Sequence, residues 1–207
     1  SSEPRDRAQA RRARWGSMLI RDTSEGYGLI SRLFHWLMAV VIVAMFILGV
    51  WMVGLDYYSP YYNSAPDIHR SVGMILLFAL ILRWLWRIGN PKPTDEDLSP
   101  LERTASFAVH WGFYVLLFAL LVSGYLISTA DGDPISVFGW FDVPSVLQAR
   151  GLETPAGKIH RILAYATIAL AVVHSLAALK HHFFDKSTVL TRMWSGPNQS
   201  SEKDRHE

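Results

Sequence analysis

Cysteine is absent from this sequence. That gap excludes disulfides, thiolate-held iron–sulfur clusters, Cys-rich zinc sites and cofactors attached through thioether bonds. Histidine is left as the main candidate metal ligand. Charge is scarce too. Asp, Glu, Lys and Arg make up 18% of the chain, against roughly 25% in an ordinary soluble domain. They are sparsest in four apolar runs, Leu33 to Gly54, Ile68 to Ile88, Ala105 to Ser128 and Ile159 to Leu179. Little chain remains for a soluble domain, and no nucleic-acid partner is expected.

Each run is near the ~20 residues an α-helix needs to cross hydrocarbon. The expected fold is therefore an all-α membrane protein, a bundle of four transmembrane helices in contact with lipid. Seven Arg precede the first run, four Lys and Arg lie from Arg83 to Arg103 and five follow from Lys180, sixteen in all, against Arg70, Arg150, Lys158 and Arg161 at the other ends of the runs. By the positive-inside rule both termini and the middle loop are cytoplasmic and the first and third loops lie outside. Trp36, Trp51, Trp84, Trp86 and Trp111 fall near span ends, where amphipathic rings favour the interface.

The polar, Arg-rich residues 1–26 read as an N-terminal arm, 27–194 as the membrane domain and 195–207 as a polar tail. No cleavable signal peptide is visible, so the first span is expected to stay as a helix. The Pro- and acid-rich stretch from Asn90 to Pro100 reads as a linker, with Ser99 and Glu102 suited to open the third helix. The third loop, Asp131 to Pro155, carries an apolar patch from Ile135 to Val143 punctuated by Gly139 and bounded by Pro134 and Pro144. It is expected to fold over the helix ends. The stretch His181 to Trp194 mixes aromatic and basic residues as an interfacial helix does.

Five histidines lie inside the spans, where ionisable residues are costly and usually face the bundle interior. His160 and His174 are fourteen residues apart, ~21 Å along a helix and about 40° around it. They share one face at two depths, which suits two b-type haems stacked across the membrane. Depth then selects partners from other helices: His69, opening the second span outside, for His160, and His35, opening the first span inside, for His174. His110 lies at nearly the depth of His35 and competes with it. Haem propionates call for cations near the surface. Arg70 and Arg161 are the outer candidates, and Arg32 and Arg83 the inner ones. Snorkelling to headgroups is the competing role for all four.

At these residues the sequence resembles the prokaryotic cytochrome b561 family of four-helix dihaem cytochromes in bacterial inner membranes. The resemblance rests on Arg32-Leu33-Phe34-His35-Trp36, Ile68-His69, His110 to Tyr114, Lys158-Ile159-His160 with His174, and the run Leu179 to Phe184 with Asp185-Lys186 and Arg192-Met193. It implies His35, His69, His160 and His174 as the iron ligands and His110 as a non-ligand. It also implies electron exchange with ubiquinone. Two activities stay open on that resemblance. One is a free-standing superoxide or quinol oxidoreductase; the other is a dihaem subunit docking a partner redox protein such as a hydrogenase or dehydrogenase. For superoxide, the outer segments are unfavourable as a whole, with four positive against six negative charges. Arg70, Lys158 and Arg161 nevertheless cluster beside His69 and His160, as a local positive funnel would.

Overall fold

The structure is a computed structural model that describes residues 20–94, 98–147 and 149–196. Expectations for the first nineteen and last eleven residues lie outside that range. Four long helices follow one another: α1 Leu29–Met52, α2 Ser64–Ile88, α3 Pro100–Thr129 and α4 Glu153–Phe183. Each is long and apolar enough to cross a membrane. Between α3 and α4 lies an antiparallel hairpin, β1 Ile135–Val137 and β2 Phe141–Val143, and the short helix α5 Val189–Trp194 follows α4.

The pattern of burial is that of a protein in lipid. Leu37 and Val40 are each 66% exposed, while Ser71, Ser123, Thr129 and Thr167 are buried. Apolar side chains outside and small hydroxyl residues between helices are what packing in hydrocarbon favours, because lipid solvates the former and close backbone approach needs the latter.

The chain divides into two compact units. One takes the residues up to Leu37, Arg83–Thr104 and the chain from Ser175. Here the helix ends are secured by short-range chemistry. Buried Asp22 accepts from the Gly28 amide at 2.8 Å and the Ser31 hydroxyl at 2.7 Å, placing a carboxylate at the α1 N-terminus where the helix dipole favours it. A Cβ at Gly28 would sit 2.4 Å from the Ile20 carbonyl oxygen, so only glycine allows this turn. At α3 the expected capping box forms. The Ser99 amide donates to Glu102 Oε2 at 3.0 Å and the Glu102 amide donates back to Ser99 Oγ at 3.4 Å, with Pro100 as the first helical residue.

The expected interfacial helix from His181 is divided in two. Residues His181 to Phe183 continue α4. Lys186 then takes a left-handed φ of 52°, and the Ser187 amide donates to the His181 carbonyl at 2.9 Å. A cluster of side chains holds this turn, with Lys180 Nζ 2.9 Å and His181 Nδ1 2.7 Å from Asp185 Oδ2. The Lys180 hydrogen bond holds the Asp185 carboxyl below its usual range, with the His181 bond adding to it. A depressed folded value means that the carboxylate stabilises the turn above its unfolded pKa, and that this contribution is lost as pH falls through the folded one. Acidification below about pH 4 is therefore expected to speed hydrogen exchange at the Ser187 amide, after correction for the intrinsic rate. Asp185→Asn should remove that pH dependence.

The second unit comprises Met38–Leu82 and Ala105–His174. Within it the helices pack in pairs: Phe46 on Tyr165 joins α1 to α4, and Gly112 meets Leu170 across α3 and α4. The hairpin lies against α2, where Met74, Ile135 and Val137 form a buried cluster with Leu77, Tyr125 and Val143 around it. Its turn has positive φ at both Phe138 and Gly139, with the Trp140 amide donating to the Val137 carbonyl at 2.9 Å, the geometry of a type I′ turn. Ser71, 2% exposed, serves both polar groups of the approach. Its hydroxyl accepts from the Phe138 amide at 3.1 Å and donates to the Ser136 carbonyl at 3.3 Å. Leaving both without a partner costs about 1–3 kcal/mol. Ser71→Ala should lower the thermal midpoint and open the hairpin to proteolysis at unchanged helix content.

Candidate functional site

His69 on α2 and His160 on α4 stand together, their ring centres 6.2 Å apart and their planes at 73°. A metal ion between two imidazoles is ~2 Å from each nitrogen and about 3 Å from each ring centre, so a coordinating pair has centres roughly 6 Å apart. The observed spacing meets that requirement.

The surroundings of the pair are built to suit its rings. A Cβ at Gly49 on α1 would lie 3.1 Å from His69 Cε1, and one at Gly124 on α3 would lie 3.1 Å from His160 Cε1. Glycine at each position leaves a gap that the imidazole edge occupies. His160 Nδ1 is 3.0 Å from the Leu120 carbonyl oxygen and 3.1 Å from Ser123 Oγ. His69 Nδ1, by contrast, is a buried nitrogen with no hydrogen-bond partner. A ring pair at coordinating distance with a glycine gap beside each ring fits a haem iron held between the two imidazoles.

The other sequence-derived residues fall in two places. In the same unit, His174 is flanked by His110 and Phe113, each ring centre 5.5 Å away. His110 is exposed, and its Nδ1 donates to the carbonyl of Ser106 one turn earlier, at 2.6 Å. Midway between His160 and His174 on α4 sits Thr167, 2% exposed, its hydroxyl donating to the Leu163 carbonyl at 2.8 Å. In the other unit, Arg83 Nη2 lies 3.5 Å from His35 Nδ1. A guanidinium only donates, so a bond of that sense puts the ring proton on Nε2, opposite to the tautomer set at His160. At 3.5 Å it is at the outer limit of hydrogen bonding.

Two of the cations expected at propionates, Arg32 and Arg70, are engaged by the protein itself. Arg32 donates to the Trp194 carbonyl, beside the Trp36 indole that donates to the Met193 carbonyl at 3.1 Å and stacks edge-on against Trp194. Arg70 is paired with Asp67, one turn away on α2. Lys158 and Arg161 are exposed on α4. The two carbonyl contacts and the Asp67 pair were not among the sequence expectations. The i, i+3 spacing of Asp67 and Arg70 was the signal for the last of these.

The sequence profile described as prokaryotic cytochrome b561 matches residues 26–196. Cytochrome b561 homolog 2 of Escherichia coli strain K12 is 50% identical over 178 residues, covering 85% of this chain and 95% of that protein. A protein named probable superoxide oxidase CybB from Yersinia pestis is 29% identical over 170 residues, 81% of this chain and 94% of the relative. Cytochrome b561 homolog 1 of the same E. coli strain is 24% identical over 164 residues, 77% and 91% of the two chains. Four membrane-crossing helices and these bacterial relatives make this a multi-pass inner-membrane electron-transfer protein, and the chain belongs to the prokaryotic cytochrome b561 family.

Proposed function

We propose that this protein carries single electrons across the membrane through two b-type haems, between an outer face where superoxide is the donor and ubiquinone as acceptor. The outer iron is held by His69 and His160, the inner one by His174 with His35. The observation that carries this reading is the His69–His160 pair, at ligating distance with glycine on each flank. Superoxide is favoured by the similarity to the Yersinia relative named for that activity and by the cations of α2 and α4 near the pair.

A b-type haem bound at each site supplies a one-electron redox centre. The chain's own residues do the rest. His69 and His160 would hold the outer iron with one imidazole each, which would disfavour oxygen binding at iron and leave electron exchange to the haem edge. Lys158 and Arg161 offer charge to propionates or to an approaching anion, and Arg70 joins them when it leaves Asp67. Arg32 and Arg83 have the corresponding role for the inner group, each by exchanging its present partner.

His35 comes to the inner pair from sequence depth and family resemblance, whereas the imidazole beside His174 in its own unit is that of His110. Pyridine haemochrome quantitation of the purified protein, His35→Ala and His110→Ala decides between them. Two haems in the parent, one in the His35 variant and two in the His110 variant are expected. The reverse order in the variants would replace His35 with His110, and a parent value near zero or one would overturn the dihaem reading. Haem reduction by superoxide, followed by reoxidation with ubiquinone, tests the direction. A parent that superoxide does not reduce would instead be a haem-bearing subunit for a partner enzyme.

A further inference from the structure

Helix α3 supplies neither ligand of the outer pair, yet it holds one of them by two contacts and the other by none that reaches its Nδ1. Ser123 is 5% exposed. Its hydroxyl donates to the Leu120 carbonyl at 2.7 Å, so its hydrogen is committed and only a lone pair remains for His160 Nδ1 at 3.1 Å. The Leu120 carbonyl, 3.0 Å from the same nitrogen, is also an acceptor. Two acceptors facing one ring nitrogen require the proton to be on Nδ1, which leaves Nε2 its lone pair for a metal. His69 Nδ1 is buried with no acceptor at all.

Resting on the assignment of His69 and His160 as axial ligands, we propose that Ser123 is a positioning residue that makes the two ligands of the outer iron unequal. The Leu120 carbonyl and Ser123 together hold His160 in the ligating tautomer, and Ser123, as the second acceptor, makes it the stronger donor. A hydrogen bond accepted from the far nitrogen of a metal-bound imidazole raises that ligand's basicity. A more basic axial ligand favours the ferric state, so Ser123 lowers the reduction potential of the outer haem and leaves the inner one alone. Gly124 completes the device by leaving room for the ring edge that Ser123 orients.

The test is a spectroelectrochemical titration of the purified haem-loaded protein and its Ser123→Ala, Ser123→Cys and Ser123→Thr variants, with haem counted first. With both haems retained, the midpoint of one haem should rise in the Ala variant, rise less in the Cys variant, and return to the parent value in the Thr variant, which keeps the hydroxyl. The low-spin ferric electron paramagnetic resonance signal of that same haem should shift in parallel. If the Ala variant loses haem, the Cys variant decides alone. A midpoint that is unchanged or lowered in a fully loaded Ala or Cys variant overturns the proposal. Failure of the ligand assignment looks different, because His69→Ala and His160→Ala would then keep the parent haem content.

Discussion

Replacing His160 with alanine should remove one of two haems from each chain and leave the other reducible by dithionite. The expectation follows from how completely the site is committed to that ring. Leu120 and Ser123 hold its Nδ1 and Gly124 accommodates its edge. The substitution leaves His69 facing a cavity with a buried Nδ1 that still has no acceptor. An isolated imidazole on one side holds iron far less well than two, and no other described histidine is paired with His69 by ring contact. Haemochrome content per protein should fall by half, and imidazole in the buffer should restore part of it. Retention of both haems at the parent level would mean that His160 is a structural residue and that the pair has another purpose.

Superoxide chemistry should respond to four charges near the same pair, three in one direction and one in the other. A charged surface can raise association rates 10- to 1000-fold, and at physiological ionic strength only groups within ~8 Å count strongly. Neutralising Arg70, Lys158 and Arg161 together, each to Gln, should slow stopped-flow haem reduction by superoxide about tenfold at low salt, with less effect at high salt. The ion pair between Arg70 and Asp67 adds an opposite arm. Asp67→Asn releases the guanidinium and removes a negative charge, so its rate should exceed that of the parent. If the triple variant reduces as fast as the parent, the funnel is not real even though the donor is. If Asp67→Asn is slower, Asp67 holds Arg70 where it is needed.

The four spans were readable because twenty-residue apolar stretches have few other physical meanings. The observed helices each begin before those stretches: α4 opens at Glu153, six residues before the hydrophobic run begins at Ile159. An acidic first turn and backbone hydrogen bonding carry a helix past its apolar segment, so hydrophobicity alone sets the span and not its ends. The Ser99–Glu102 box was legible because both partners lie within four residues of one another. The hairpin was not. Its turn lacks the Asn-Gly or Asp-Gly pair that announces a type I′ turn, with Phe138 at the first left-handed position. Its stability comes from Ser71, sixty-five residues away along the chain from Ser136. The ring pair of His69 and His160 followed from depth, whereas the hold of Ser123 on His160 depends on the rotation of α3, which no periodicity in that apolar run specifies.

Thr167 bears on a different quantity, the proton current. It stands seven residues from each of the two α4 histidines, ~10 Å by helical rise, and is 2% exposed. Its hydroxyl hydrogen is bound to the Leu163 carbonyl one turn back, so it donates along its own helix and not across to another. Electrons tunnel through packed matter, whereas protons require a chain of exchangeable groups. Proton transfer past Thr167 would therefore need that hydroxyl to turn away from Leu163, whereas an electron passing between the two histidine levels would need no such motion.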